Sequence, residues 1–163
     1  IQAHLAERTP KADIFLAMLT QTAVRSRPPL GFFRQFVLKS SGEQEDALDL
    51  KHRGVALVND LARVYALASG VTVANTQERL LAVKAAGTID SELAESLIEA
   101  WSLIAHLRIE GQSNALANGE EPTSFVDPDT LSSLTRAHLK DAFATIKRAQ
   151  ALALQRFARG QLG

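Results

Sequence analysis

The stretch from Arg27 to Gly54, RPPLGFFRQFVLKSSGEQEDALDLKHRG, decides how this chain folds, because the sequence on both sides of it is Ala- and Leu-rich at helical spacing. It opens with a Pro-Pro pair, which ends any preceding helix. Side chains alternate from Phe32 to Lys39 and again from Leu48 to Lys51, with a polar Ser-Ser-Gly loop between the two runs. Period-two alternation is typical of strands, so the stretch predicts a short antiparallel β-hairpin within a helical domain.

Helical periodicity and capping residues predict about five helices around this hairpin. Pro28 limits the first helix, Gly70 and Gly87 end the second and third, and Ser132 starts the last. The predicted helices are Lys11–Ser26, Val55–Ser69, one from its cap Asn75 to Gly87, Asp90 to about Asn118, and about Ser133 to Arg159. The fold class is therefore mainly all-α, a helical bundle with one small hairpin insertion. We expect residues 1–10 to be a linker from a missing upstream domain and residues 11–160 to be the helical domain.

Composition and the absence of known motifs argue against several classes of function. The chain has 18 basic and 18 acidic residues, a formal net charge of zero and no cysteine. Zero net charge argues against nucleic acid and anionic membranes as partners, and the lack of cysteine is compatible with a cytoplasmic location. No Gly-rich phosphate loop or nucleophile elbow is present, and the four histidines lack the spacing of a metal site. We therefore predict no catalytic and no metal-binding residues in this chain.

Polar residues interrupt two apolar helical stripes. Arg108 and Gln112 continue the stripe of the longest helix, and Gln150 falls within that of the last. Burying an unpaired guanidinium is costly, so Arg108 requires an internal partner, an anionic ligand, or a stripe that reaches solvent at that point. The apolar stripe of the last helix is flanked by three basic residues, Arg136, Lys140 and Lys147. They form either a row that binds phosphate or an acidic partner, or a helix face that is exposed to solvent.

Six phrases occur in an order that resembles one family, the nucleotidyltransferase substrate-binding domain found at the C-terminus of bacterial proteins with CBS or cyclic-nucleotide-binding modules. The resemblance covers about Lys11 to Phe157. The phrases are PPLGFFRQFVL (28–38), LDLKHRG (48–54), NDLARVYALASGV (59–71), NTQERL (75–80), LRIEGQ (107–112) and FVDPDTL with RAHLKDAFATIKRAQ (125–150).

The resemblance implies a non-catalytic α-helical domain beside a catalytic domain related to protein-PII uridylyltransferase, in a protein of signal transduction. The upstream catalytic domain would hold Mg²⁺ and a nucleoside triphosphate, and this chain would hold no cofactor. Its role would be to position the nucleotide or an acceptor, either a protein or a small molecule. The alternative is a helical dimerisation or protein-interaction module, with a homodimer as its product.

The resemblance also implies which residues bind substrate. They are Arg34, Asp49, Lys51, Asp60, Arg63, Arg79, Arg108, Gln112 and Lys140. Gly111 and Thr135 depart from the family's usual His and Glu. One hypothesis brings Arg34, Asp49, Lys51, Arg63 and Arg108 together in one polar cleft. The other makes Asp49, Arg63 and their neighbours a structural ion-pair network that fixes the hairpin to the bundle.

Overall fold

The computed structural model describes residues 2–38 and 46–158. Within these ranges the chain forms six α-helices and one two-stranded antiparallel sheet, which confirms the mainly all-α prediction. The helices are α1 (Gln2–Arg8), α2 (Asp13–Ala23), α3 (Ala56–Ala68), α4 (Thr76–Ala85), α5 (Ser91–Ala117) and α6 (Ser133–Phe157), and the strands are β1 (Leu48–Asp49) and β2 (Phe125–Val126). A π-helical turn, Lys51–Val55, leads into α3, and 3₁₀ turns occupy Thr9–Lys11 and Pro128–Thr130.

Side-chain caps set where three of these helices begin. The side chains of Asn75, Asp90 and Ser132 each accept a hydrogen bond from the backbone N–H three residues later, at 3.1, 3.2 and 3.0 Å. Such caps satisfy one of the N–H groups that a helix start leaves unpaired. At the other ends, Gly70 follows α3 and Gly87 follows α4 with φ of 69° and 67°, the left-handed conformation that favours glycine.

The core lies where α3, α5 and α6 bury their apolar stripes against one another. Leu61 of α3, Leu97 and Ile104 of α5, and Phe143 and Ile146 of α6 are fully buried. Leu97 and Ile104 are seven residues apart and Phe143 and Ile146 are three apart, so each pair lies on one face of its helix. The stripes recognised in the sequence are therefore the faces that form the core.

Gln150 is the polar residue that interrupts the apolar stripe of α6, and its side chain connects α6 to the end of α2 by hydrogen bonds. Its side chain is only 3 % exposed. The amide nitrogen donates to the carbonyl oxygens of Ala23 (3.2 Å), the last residue of α2, and of Ser26 (2.8 Å), three residues beyond it. Because the last carbonyls of a helix have no partner within it, these bonds fix the end of α2 against α6.

The sheet uses a different strand partner from the one predicted. β1 pairs with β2, placing Leu48 opposite Val126 and Asp49 opposite Phe125, and not with residues 32–38. The segment Pro28–Leu38 instead folds on itself, because Gly31 donates its backbone N–H to Gln35 (2.8 Å) and Val37 donates to Pro29 (3.0 Å). Lys39 and the Ser-Ser-Gly loop lie outside the described residues.

The first ten residues contain α1 and the beginning of a 3₁₀ turn that connects it to α2. The Thr9 hydroxyl oxygen lies 2.8 Å from the carbonyl oxygen of Leu67 in α3 and 2.7 Å from that of Leu5, so this part of the chain packs on the end of α3. Its role as a linker from an upstream domain stays a prediction. No helix in the described ranges combines the length and apolar character needed to cross a membrane.

Candidate anion-binding cleft

A cleft of about 270 Å³ lies between α1, α3 and the connection from α3 to α4. Two of the predicted substrate-binding residues, Arg63 and Arg79, line it. The other lining residues are Leu5, Ala66, Leu67, Val71, Thr72 and Val73. The cleft thus combines two guanidinium groups with a largely apolar wall.

Local structure positions both arginines. Arg63 is fixed by Asp60 of the preceding turn of α3, with 2.8 Å between Nη1 and the carboxylate oxygen. After α3 the chain reverses at Gly70, where Val71 donates its backbone N–H to Ala66 at 2.8 Å. The connection that follows brings the carbonyl oxygen of Val73 within 2.8 Å of Nε of Arg79. A guanidinium has five N–H donors, so each arginine keeps further donors for a ligand.

The charges of the two arginines make this cleft a candidate anion site. Burial lowers the pKa of the Arg79 guanidinium, and the positive charge of Arg63 lowers that pKa further. Both effects oppose the charged form, and an anion between the two guanidinium groups would relieve the repulsion. Asp60 balances one of the two charges, so the three side chains together carry one surplus positive charge. Guanidinium groups bind phosphate and carboxylate oxygens in a bidentate geometry.

Arg34 and Lys140 meet at a different place, where the segment Pro28–Leu38 crosses α6. Nη2 of Arg34 lies 2.5 Å from a carboxylate oxygen of Asp141. Nζ of Lys140 lies 5.0 Å from the centre of the Phe36 ring, within the range of a cation–π contact. These contacts attach the segment to α6.

Asp49 and Lys51 lie where β1 meets the π-helical turn. A carboxylate oxygen of Asp49 accepts from the backbone N–H groups of Lys51 (3.1 Å) and His52 (2.9 Å). The second oxygen lies 3.0 Å from Nδ1 of His52. Asp49 therefore caps the turn that leads into α3, and the Lys51 side chain is exposed.

Arg108 and Gln112 are one helical turn apart on α5, and both side chains are half-buried. Nε of Arg108 is buried and finds no hydrogen-bond acceptor among the described residues. The internal partner considered from the sequence is therefore not found for this atom.

The structure thus brings Asp60, Arg63 and Arg79 together. Arg34, Asp49, Lys51 and Arg108 do not line the cleft between the two arginines. A polar cleft shared by Arg34, Lys51 and Arg108 stays a prediction.

Sequence reasoning missed two features. Leu5 contributes to the cleft from α1, which the sequence treats as a linker, and no local pattern signals that contact. A groove of about 450 Å³ between α5 and α6 was also missed, and it is lined by Ser96, Glu99, Ala100, Leu103, His138, Asp141, Ala142 and Thr145. The spacing of His138, Asp141 and Thr145 on one face of α6 is the signal that could have found it.

The fold is that of a mainly α-helical domain with a cleft that two arginines line. Residues 13–157 match the family described as "Putative nucleotidyltransferase substrate binding domain", and the chain belongs to that family. The match spans most of the chain and includes all nine predicted site residues. Comparisons with curated proteins and with solved structures gave no significant match.

Proposed function

We propose that this domain binds the acceptor or the nucleotide for a nucleotidyl transfer catalysed by another domain of the same parent protein. The observation that carries the proposal is the meeting of Arg63 and Arg79 in one cleft, because they come from two separate phrases of the family resemblance. Nucleotidyl transfer depends on positioning the reactants and on neutralising phosphate charge. Two arginines on an apolar wall serve both needs.

The proposal assigns Mg²⁺ and the nucleoside triphosphate to the catalytic domain. Within residues 2–38 and 46–158 no group of three or more His, Asp or Glu side chains could hold a metal ion. The proposal gives this chain the role of binding and positioning. The setting we propose is a cytoplasmic bacterial signalling protein with CBS or cyclic-nucleotide-binding modules, which acts on a protein or small-molecule acceptor.

The test is a transfer assay on the full-length parent protein with Mg²⁺, labelled nucleoside triphosphates and cell extract. Combined Arg63→Gln and Arg79→Gln substitutions should abolish most of the labelling. The Arg63 side chain is exposed and that of Arg79 is half-buried, so the melting temperature should fall by only about 2–4 °C. Arg148→Gln, which replaces an exposed arginine of α6, is the matched control and should label normally. Full labelling by the double variant would contradict the proposal.

A second candidate function is a dimerisation or protein-interaction module. It is favoured by the apolar side chains that α2 exposes, Ile14 and Met18 at 64 % and Phe15 at 46 %. Such a patch is typical of interaction surfaces when it is contiguous. Sedimentation over a range of concentrations tests it, because a strictly monomeric protein would count against the homodimer.

A further inference from the structure

Helix α1 closes one side of the arginine cleft, although it precedes the residues that match the family. Leu5 of α1 lines the cleft together with Val71 and Val73 from the connection between α3 and α4. The Leu5 side chain is 40 % exposed, so it forms a wall of the cleft and leaves room for a ligand beside it. The cleft is therefore incomplete without α1.

Two contacts hold α1 and the 3₁₀ turn that follows it against the end of α3 and the turn at Gly70. The Thr9 hydroxyl oxygen lies 2.8 Å from the carbonyl oxygen of Leu67 and 2.7 Å from that of Leu5 in α1. A Cβ atom at Gly70 would lie 2.7 Å from the carbonyl oxygen of Ala6, so the two backbones approach each other as closely as only glycine permits. Leu5 is thereby held over the cleft by the same turn that leads to Arg79.

The cleft has a charged surface and an apolar surface, and each suits a different part of a ligand. The guanidinium groups of Arg63 and Arg79 suit a phosphate group, with Asp60 cancelling only part of their charge. Leu5, Val71 and Val73 suit an apolar or aromatic body, since ligand sites combine apolar walls with a few placed polar groups. A small inorganic anion would use only the first part.

We propose that the cleft binds a phosphate ester, with its phosphate on Arg63 and Arg79 and its organic part against Leu5 of α1. This inference rests on the proposed function and deepens it, because it names the ligand as a nucleotide or a phosphorylated acceptor. It also makes α1 part of the binding site.

Calorimetric titration of the 163-residue chain with pyrophosphate and with a nucleoside diphosphate tests the phosphate half of the site. Both probes should bind, and both affinities should fall as the salt concentration rises. Arg79→Gln should weaken both about tenfold to a hundredfold, the range for a lost charged hydrogen bond. Arg148→Gln should change neither. Failure of both probes to bind, or equal affinity in Arg79→Gln, would overturn the inference.

Leu5→Ala tests the organic half. It should weaken the nucleoside diphosphate about fivefold, because apolar contact area is lost, and should leave pyrophosphate unchanged. If the variant folds poorly, methyl NMR of the unaltered protein replaces it: the Leu5 methyl signals should shift with the nucleoside diphosphate and stay in place with pyrophosphate. Unchanged nucleotide affinity, or no selective shift, would exclude α1 from the site.

The two proposals fail in different ways. If transfer by the parent protein requires Arg63 and Arg79 but the chain binds neither probe, the ligand class is wrong and the proposed function stands. If the chain binds both probes but transfer by the parent protein is unaffected by the two substitutions, the phosphate site stands and the proposed function is wrong.

Discussion

Arginine side chains lie near the surface in two regions: the cleft of Arg63 and Arg79, and the place where the segment Pro28–Leu38 crosses α6. The two regions differ in how the arginines are paired with carboxylates. In the cleft, Arg63 and Arg79 are close enough to affect each other, and Asp60 is the carboxylate paired with Arg63. At α6, Arg34 has its own carboxylate, that of Asp141. Asp60 is paired with only one of the two arginines of the cleft, whereas Arg34 and Asp141 pair one to one and the neighbouring Lys140 lies over the Phe36 ring.

The turns in the two regions differ as well. Gly70 turns the chain beside the cleft with φ of 69°, and Arg34 turns the segment at α6 with φ of 60°. For a non-glycine residue this conformation costs about 1–2 kcal/mol. On this comparison we propose a binding role for the arginines of the cleft and a structural role for Arg34.

The largest expected effect is that of Gly70→Ala, which would break the geometry of the cleft. We expect a loss of about 2–3 kcal/mol in the free energy of unfolding, from the left-handed conformation and from the collision with Ala6. Gly87→Ala is the matched control, because Gly87 has φ of 67° but open space within 4 Å of the place that a Cβ atom would take. Urea unfolding should give about 1 kcal/mol for the control. Equal losses in both variants would show that α1 does not press on Gly70.

The next largest effect is on transfer activity, which should fall when the cleft is altered and not when the contact at α6 is altered. In the transfer assay on the parent protein, Arg79→Gln should lower activity about tenfold or more, because a charged hydrogen bond to the ligand is lost. Arg34→Gln should lower it less than about twofold, since an exposed ion pair contributes little. Equal activity losses would mean that Arg34 also contacts the substrate, and would return it to the candidate site.

The parts of the fold that depend on local interactions could be predicted from the sequence. The caps at Asn75, Asp90 and Ser132 each join residues three positions apart, so a short window contains both partners. The pairing of β1 with β2 could not be predicted in this way. Two-residue strands show no alternation, and their partners lie far apart in the chain.

In the candidate site, too, the contacts between residues far apart in the chain could not be predicted from the sequence. The resemblance named Arg63 and Arg79, and the structure places both in one cleft. Leu5 escaped prediction because its contact depends on how α1 packs on α3. Gln150 was recognised as a polar interruption, but its role in holding the end of α2 required the three-dimensional placement of Ala23 and Ser26.

A smaller effect should follow from the turn at Arg34. Arg34→Gly relieves the left-handed strain but loses the ion pair with Asp141, which is exposed at both ends and is worth at most about 0.5 kcal/mol. Arg34→Ala loses the pair and keeps the strain. We expect the glycine variant to be more stable than the alanine variant by about 1 kcal/mol in urea unfolding. A glycine variant no more stable than the alanine variant would show that the left-handed conformation at this position carries no strain.

The smallest effect concerns Lys140, whose ammonium group lies over the Phe36 ring. Lys140→Met retains a long apolar side chain and removes the charge, so it should cost about 0.5 kcal/mol, the range of an exposed cation–π contact. Arg148→Met on the same helix is the control and should be neutral, since Arg148 is exposed. If the Lys140 variant also lowered pyrophosphate affinity, Lys140 would belong with the binding residues, and the separation between the α6 crossing and the cleft would fail.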